Sequence, residues 1–168
     1  MPFRSAQTVA QIDWERWEPR EHATLIFVGR GEDVLLIRKK RGLGAGKINA
    51  PGGRLDAGET ALACALRELR EEVNLTARRA DERGELSFQF RDGYAVHVRV
   101  FWTDDWVGVP TETAEAIPQW TPRKAVPFEE MWQDDRFWIP LLFAGIHFRG
   151  RFIFDGDSMQ DYSLEETA

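Results

Sequence analysis

The chain has 168 residues, enough for one domain at about 150 residues per domain. Apolar residues make up 43% of it and charged residues 30%, a balance that excludes disordered and low-complexity chains. Asp and Glu number 28 against 22 for Lys and Arg, and the net charge of -6 argues against a broad grip on nucleic acid or anionic lipid.

The single cysteine, Cys64, excludes a disulfide framework and a cysteine-based zinc site, and fits a reducing compartment. The opening MPFRSAQTVAQ lacks the apolar run of a signal peptide, and no stretch approaches the roughly 18 apolar residues of a membrane span. A soluble cytoplasmic protein, with no membrane and no stable nucleic-acid partner, is the expectation.

Residues 1–22 are polar with no clean period and read as an arm packing on a domain that spans 23–168. ATLIFVG (23–29) and DVLLIRK (33–39) are β-branched and leucine-rich, and read as consecutive strands. A glycine-rich loop, RGLGAGKINAPGG (41–53), follows. Over residues 60–73, Leu62, Leu66, Leu69 and Val73 recur at helical spacing and predict an amphipathic helix with that stripe inward. ELSFQF (85–90) and YAVHVRVFW (94–102) alternate around Arg91, Asp92 and Gly93, which predicts a hairpin. IPQW (117–120) suggests a short strand. Asp134 or Asp135 can cap a second helix that runs to about Phe143 and contains Pro140. HFRGRFIFDG (147–156) reads as a strand or a tight hairpin.

Chemistry concentrates on the first helix. At about 100° per residue, with Leu62 at the origin, Glu68, Glu71 and Glu72 fall at roughly 240°, 180° and 280°, an arc expected opposite the apolar stripe. Like charges at these spacings repel in a solvated helix, and a divalent cation reverses the sign. Oxygen-only ligands point to a hard ion such as Mg2+, with Mn2+ as a substitute. Taken alone, such a cluster reads more simply as a solubilising surface beside Arg67 and Arg70. The loop before it adds a second signal, because Gly52 and Gly53 permit a close backbone approach to a metal or phosphate.

Gly53, Glu59, Arg67, Glu68, Leu69, Glu71, Glu72 and Leu75 spell G-x5-E-x7-R-E-U-x-E-E-x-x-U, where U is apolar. This resembles the Nudix box, the signature of the Nudix hydrolases. The family usually has Gly where this chain has Asn74, the non-Gly residue that best tolerates the left-handed turn ending a helix. The resemblance implies an α/β fold with a mixed β-sheet sandwiched between helices, and hydrolysis of a nucleoside diphosphate linked to another group. It also implies that Glu71 and Glu72 are the principal metal ligands, joined by Glu68 and the carbonyl of Gly52, while Arg67 and Glu59 hold the glutamates in place.

KKRGLGAGKINAPGG (39–53) and PFEEMWQDDRFWIPLL (127–142) extend the similarity to the branch of the family that acts on oxidised purine nucleoside triphosphates. That resemblance implies a purine pocket of Asn49, Phe88, Trp132, Asp134 and Asp135, with Thr24 and Lys39 as further pocket residues. It also implies a loop carboxylate, Glu115, that reaches the metal. The branch has aromatic residues where this chain has Leu43 and Ile48.

The residue types suit those roles. Trp132 and Phe88 offer flat faces for stacking, and Asn49 offers a donor and an acceptor. Two adjacent carboxylates repel, so one can keep its proton and donate while the other accepts. Plainer readings stand beside these: the Asp pair as a helix cap, Trp132 and Phe88 as core, Asn49 as a turn former, Glu115 as solvent-facing.

GLGAGK is not a Walker loop, which requires Gly at Arg41 and Ser or Thr at Ile48, nor a Rossmann fingerprint, which requires Gly at Lys47. Hydrolysis of nucleoside diphosphate sugars or dinucleoside polyphosphates, and a non-catalytic nucleotide sensor, are the rival functions. A monomer or weak homodimer is expected.

Overall fold

The computed structural model describes residues 3–168. The two apolar runs form β1 (Glu21–Arg30) and β2 (Asp33–Lys39), paired antiparallel across a tight turn. Both are buried on both faces, which explains their near-continuous apolar sequence. The glycine-rich loop holds two short strands, β3 (Ile48–Asn49) against β2 and β4 (Gly52–Arg54) against β1. Helix α1 (Ala61–Val73) follows. The hairpin β5 (Thr76–Phe90) and β6 (Ala95–Val107) is much longer than its alternating core suggests, because its outer half is charged and bulged, with pairs such as Arg78–Asp105 at 3.0 Å across the ladder.

β7 (Ala116–Pro122) returns along β2, α2 (Asp135–Phe143) accommodates Pro140, and β8 (Phe148–Asp155) turns into β9 (Ser158–Glu166). Among the described residues these strands form one mixed sheet in the order β3-β2-β1-β6-β5-β8-β9, with β4 and β7 attached to β1 and β2. The pairs β1–β6 and β5–β8 are parallel.

Alternation along β1 and β2 assigns the two helices to opposite faces. Ile26, Val28, Leu35 and Ile37 pack with Ala61, Ala65, Leu69 and Val73 of α1. Phe27, Val34 and Leu36 join Trp138, Ile139 and Leu142 of α2. The sheet is therefore sandwiched between helices, as the family resemblance implies. Preceding β1, Ala6, Val9 and Ile12 pack on Ile153 of β8, with Trp14 and Trp17 alongside. The first strand takes in Glu21 and His22, two residues that the sequence reading gives to the arm.

Helix α1 departs from the expected stripe. Leu62 is 42% exposed, and the buried side is carried by Ala61, Cys64, Ala65, Leu69 and Val73. Small residues rather than leucines bring this helix close to the sheet. Its buried arc is thus rotated toward Glu68 and Glu72, while Glu71 stays on the exposed side.

Candidate active site

Thr60 opens α1 by accepting the Ala63 N–H at 3.1 Å, and Asn74 closes it in the left-handed conformation at φ 63°. Asn therefore performs the turn for which glycine is usual. Between these caps the helix presents its carboxylates to the diglycine strand β4. A Cβ on Gly52 would lie 2.0 Å from the Thr24 carbonyl oxygen, and one on Gly53 would lie 2.5 Å from the Glu68 carboxylate. Both glycines are present because something sits where a side chain would be.

Arg67 organises the acidic face. Its Nε and Nη2 donate to the two oxygens of Glu59 at 2.8 and 2.9 Å, and Nη1 donates to Glu68 at 2.9 Å and Glu71 at 3.1 Å. Nη2 also reaches the Arg54 carbonyl at 3.1 Å. This fork holds the Glu59 carboxyl down at about 2.

Among the described residues, Glu68, Glu72 and Glu115 bring ligand oxygens within 4.8 Å of one another. Glu71 lies outside this group, half exposed and bound to Arg67. Burial, then the charge of Glu68, raises the Glu72 carboxyl to about 8, opposed by the Gly52 N–H and by Lys39. Burial likewise raises Glu68. Crowded, partly desolvated carboxylates of this kind are costly alone and favourable around a hard cation. The donor set therefore fits a divalent metal.

A cavity of about 690 Å³ runs from Glu72, Gly52, Gly53, Thr24 and Lys39 to Asn49, Phe88, Trp132, Asp134 and Asp135. Thr24 is buried, with Oγ1 3.4 Å from the Cys64 sulfur. The Lys39 Nζ donates to the Leu43 carbonyl at 2.9 Å. The Asn49 Oδ1 accepts the Ala50 N–H at 2.8 Å, so Asn49 shapes the loop as well as lining the cavity. Phe88 stacks on Phe152 with centroids 5.1 Å apart. Trp132 meets Phe90 and Phe154 edge to face, and the Lys47 ammonium lies 5.1 Å from its ring centroid.

Asp134 stands at the N-cap position of α2, yet its side chain makes no capping bond. Its Oδ2 instead accepts the Trp138 Nε1–H at 2.8 Å. Asp134 and Asp135 are almost fully buried, and one oxygen of each, Asp134 Oδ1 and Asp135 Oδ2, has no hydrogen-bond partner. Burial raises Asp134 to about 6, against the Trp138 N–H, and burial plus the Asp134 charge raises Asp135 well above the usual carboxylate range. Buried polar atoms without partners inside a cavity mark places for a ligand's donors and acceptors.

Of the two positions where the branch it resembles has aromatics, Leu43 lines the cavity and is 55% exposed, whereas Ile48 is buried in the core beneath α2. Sequence reasoning missed another wall. Tyr94 donates to Glu21, which also binds Arg54 at 2.8 Å, and all three line the cavity. Glu21 and Arg54 lie on β1 and β4 and Tyr94 just precedes β6, and no local spacing announces their meeting.

A NUDIX domain profile matches residues 19–142. The chain belongs to the Nudix hydrolase family. Among named relatives, it is 41% identical over 146 residues to an oxidized purine nucleoside triphosphate hydrolase of Mus musculus, covering 86% of this chain and 94% of the relative. The protein of the same name from Danio rerio is 40% identical over the same shares of both chains. A crystal structure of a mutator MutT protein from Bacillus halodurans superposes with a TM-score of 0.77 at 25% identity, covering 86% of this chain and 97% of that one. Enzymes of this family require a divalent metal.

Proposed function

We propose that this enzyme hydrolyses oxidised purine (deoxy)nucleoside triphosphates, such as 8-oxo-dGTP or 2-hydroxy-dATP, to the monophosphate and pyrophosphate, and so clears them from the nucleotide pool. The observation that carries the reading is a single cavity that reaches Glu72 of the carboxylate cluster beside a diglycine bend and, at its other end, an aromatic slot with two unpartnered aspartate oxygens. The relatives named as oxidized purine nucleoside triphosphate hydrolases support it.

Glu68, Glu72 and Glu115, with the Gly52 carbonyl, would hold Mg2+, and Mn2+ in its place. The bound ion supplies charge neutralisation at the phosphates and a lowered pKa for a coordinated water. Arg67 keeps Glu68 oriented, and the Gly52 N–H, donating at 3.3 Å, keeps Glu72 facing β4. Lys39 adds positive charge beside Glu72, where phosphate charge would gather. Trp132 and Phe88 stack the purine, and Asn49 offers its amide to the base edge. Asp134 and Asp135 share a proton near neutrality, so the pair presents one donor and one acceptor and can match either an oxidised guanine or an altered adenine edge.

Residues 1–22 act as an arm on the 23–168 catalytic domain in this reading, and the enzyme works in the cytoplasm as a monomer or weak homodimer. Among the described residues no helix is long and apolar enough to cross a membrane. The net charge of -6 supports free nucleotides over nucleic acid or membranes as partners.

The test offers 8-oxo-dGTP, dGTP, ADP-ribose and a dinucleoside polyphosphate in parallel with Mg2+ and measures kcat/KM by product release. The oxidised triphosphate is expected to lead. Faster turnover of ADP-ribose or the polyphosphate would overturn the substrate assignment, and no turnover of any of the four would favour a sensor.

A further inference from the structure

Two of the three clustered carboxylates come from α1, and the third comes from a loop that joins β6 to β7. What holds that loop to the helix is visible at the helix's C-terminal end. The last carbonyls of an α-helix have no partner within it and must find one elsewhere. Here the Val73 carbonyl accepts the Thr111 N–H at 3.0 Å, and the Glu72 carbonyl accepts the Thr113 hydroxyl at 2.8 Å. The same Thr113 Oγ1 accepts the Glu115 N–H at 3.2 Å. One hydroxyl thus joins the main chain of Glu72 to that of Glu115.

We propose that Thr113 is a positioning residue for the divalent-metal site, fixing the loop carboxylate of Glu115 against Glu72 through its hydroxyl. This rests on the reading that the Glu68–Glu72–Glu115 group binds the metal.

The other ties on the loop act at different points. Lys40 N–H donates to the Glu115 carbonyl at 3.0 Å and anchors the loop to the end of β2, not to α1. Lys40 Nζ binds Glu112 at 2.6 Å and the Thr113 carbonyl at 2.8 Å. Arg41 reaches the Glu115 carboxylate at 3.1 Å, but Arg41 is 66% exposed, and so open a pair is screened and weak. A backbone bond from Thr113 N–H to the Ala116 carbonyl, 3.1 Å, closes the turn within the loop. The hydroxyl of Thr113 is the link that ties the Glu115 backbone directly to that of another clustered glutamate.

The chemistry selects the residue type. The hydroxyl donates and accepts at once, which the bridge requires, and Ser retains that ability whereas Val keeps only the shape. Groups that orient metal ligands without touching the ion commonly alter affinity about tenfold or more when removed.

The experiment measures Mn2+ binding by electron paramagnetic resonance on the full chain, in wild type, Thr113→Val, Thr113→Ser, Glu115→Gln and the Thr113→Val/Glu115→Gln double variant. Thermal melts in EDTA check folding, and Thr113→Ala replaces Thr113→Val should the latter fail to fold. The expected result is about tenfold weaker binding in Thr113→Val, recovery to within about twofold of wild type in Thr113→Ser, and no further loss from Thr113→Val in the Glu115→Gln background. Thr113→Val binding as wild type does, Thr113→Ser failing to recover, or equal loss in both backgrounds would each overturn the positioning role. Absence of binding in wild type would instead overturn the metal-site reading on which it rests.

Discussion

Gly52 and Gly53 are adjacent, yet alanine at each should fail in a different way. At Gly53 the added methyl would sit 2.5 Å from the Glu68 carboxyl carbon and Oε1, about 1 Å inside ordinary contact. Glu68 is a side chain and can yield, but Arg67 grips it at 2.9 Å, and its side chain is only 12% exposed. The carboxylate must therefore shift by about 1 Å with its partner, and a displacement of that size at a reacting group can cost about 100-fold in rate. At Gly52 the methyl would meet the Thr24 carbonyl at 2.0 Å, which is backbone within β1 and cannot move without breaking the β1–β4 pairing. Gly53→Ala should keep a melting temperature near wild type and lose one to two orders of magnitude in kcat; Gly52→Ala should lose stability first. The assay is kcat and KM for the oxidised triphosphate beside thermal melts in EDTA. A folded Gly53→Ala enzyme with kcat within twofold of wild type would refute the claim that Glu68 occupies a position the reaction depends on.

Other outcomes follow from the same geometry. In EDTA, the folded chain keeps a proton on Glu72 up to about 8 that the unfolded chain releases near 4.5, so stability should fall as pH rises through that window, by at most about 1.4 kcal/mol per pH unit. Glu72→Gln should flatten that slope in thermal melts while lowering kcat by orders of magnitude; an unchanged slope would detach Glu72 from it. Asp134→Asn can still accept from Trp138, so it should fold and should raise KM for oxidised purines more than for a sugar-linked substrate, with equal changes arguing against base reading. Leu43→Phe should strengthen stacking in the cavity by about 1 kcal/mol and lower KM about fivefold. Ile48→Trp should instead overpack the core, at a cost of about 1–3 kcal/mol in chemical denaturation, because Ile48 is 1% exposed and packs away from the cavity.

The sequence discloses these features unevenly, for physical reasons. β1, β2 and α1 carry uniform local signals, a doubly buried apolar run for the strands and a Thr cap with an Asn stop for the helix, so their bounds are legible to within a residue or two. β9 is an edge strand with no buried residue, and SMQDYSLEE shows no alternation for a reader to use. Within α1, hydropathy misdirects. Leucines dominate a search for an apolar stripe, yet close packing against the sheet uses Ala61, Cys64 and Ala65, whose small size hydrophobic periodicity undervalues. That error moves the predicted core away from Glu68 and Glu72 and makes three equivalent surface carboxylates out of what is in space two inward groups and one outward one.

The distinction between inward and outward carboxylates also explains why a fixed motif is legible when its geometry is not. Gly53, Glu59, Arg67, Glu68 and Glu72 lie within twenty residues, and their spacing is set by one strand, one cap and one helix, so a linear pattern records them. Glu115 has no such fixed offset. Its place depends on where β6 ends and on how the following loop meets the orphan carbonyls of α1, a contact between residues 41 apart in sequence. The aromatic end of the cavity has the same character: Phe88, Trp132 and the Asp pair sit on a strand, a loop and a helix start, and they meet only when β5 and α2 pack on one core. Resemblance could name these residues individually, but their physical reason, two buried oxygens facing an aromatic slot with nothing to bond, belongs to the folded chain alone.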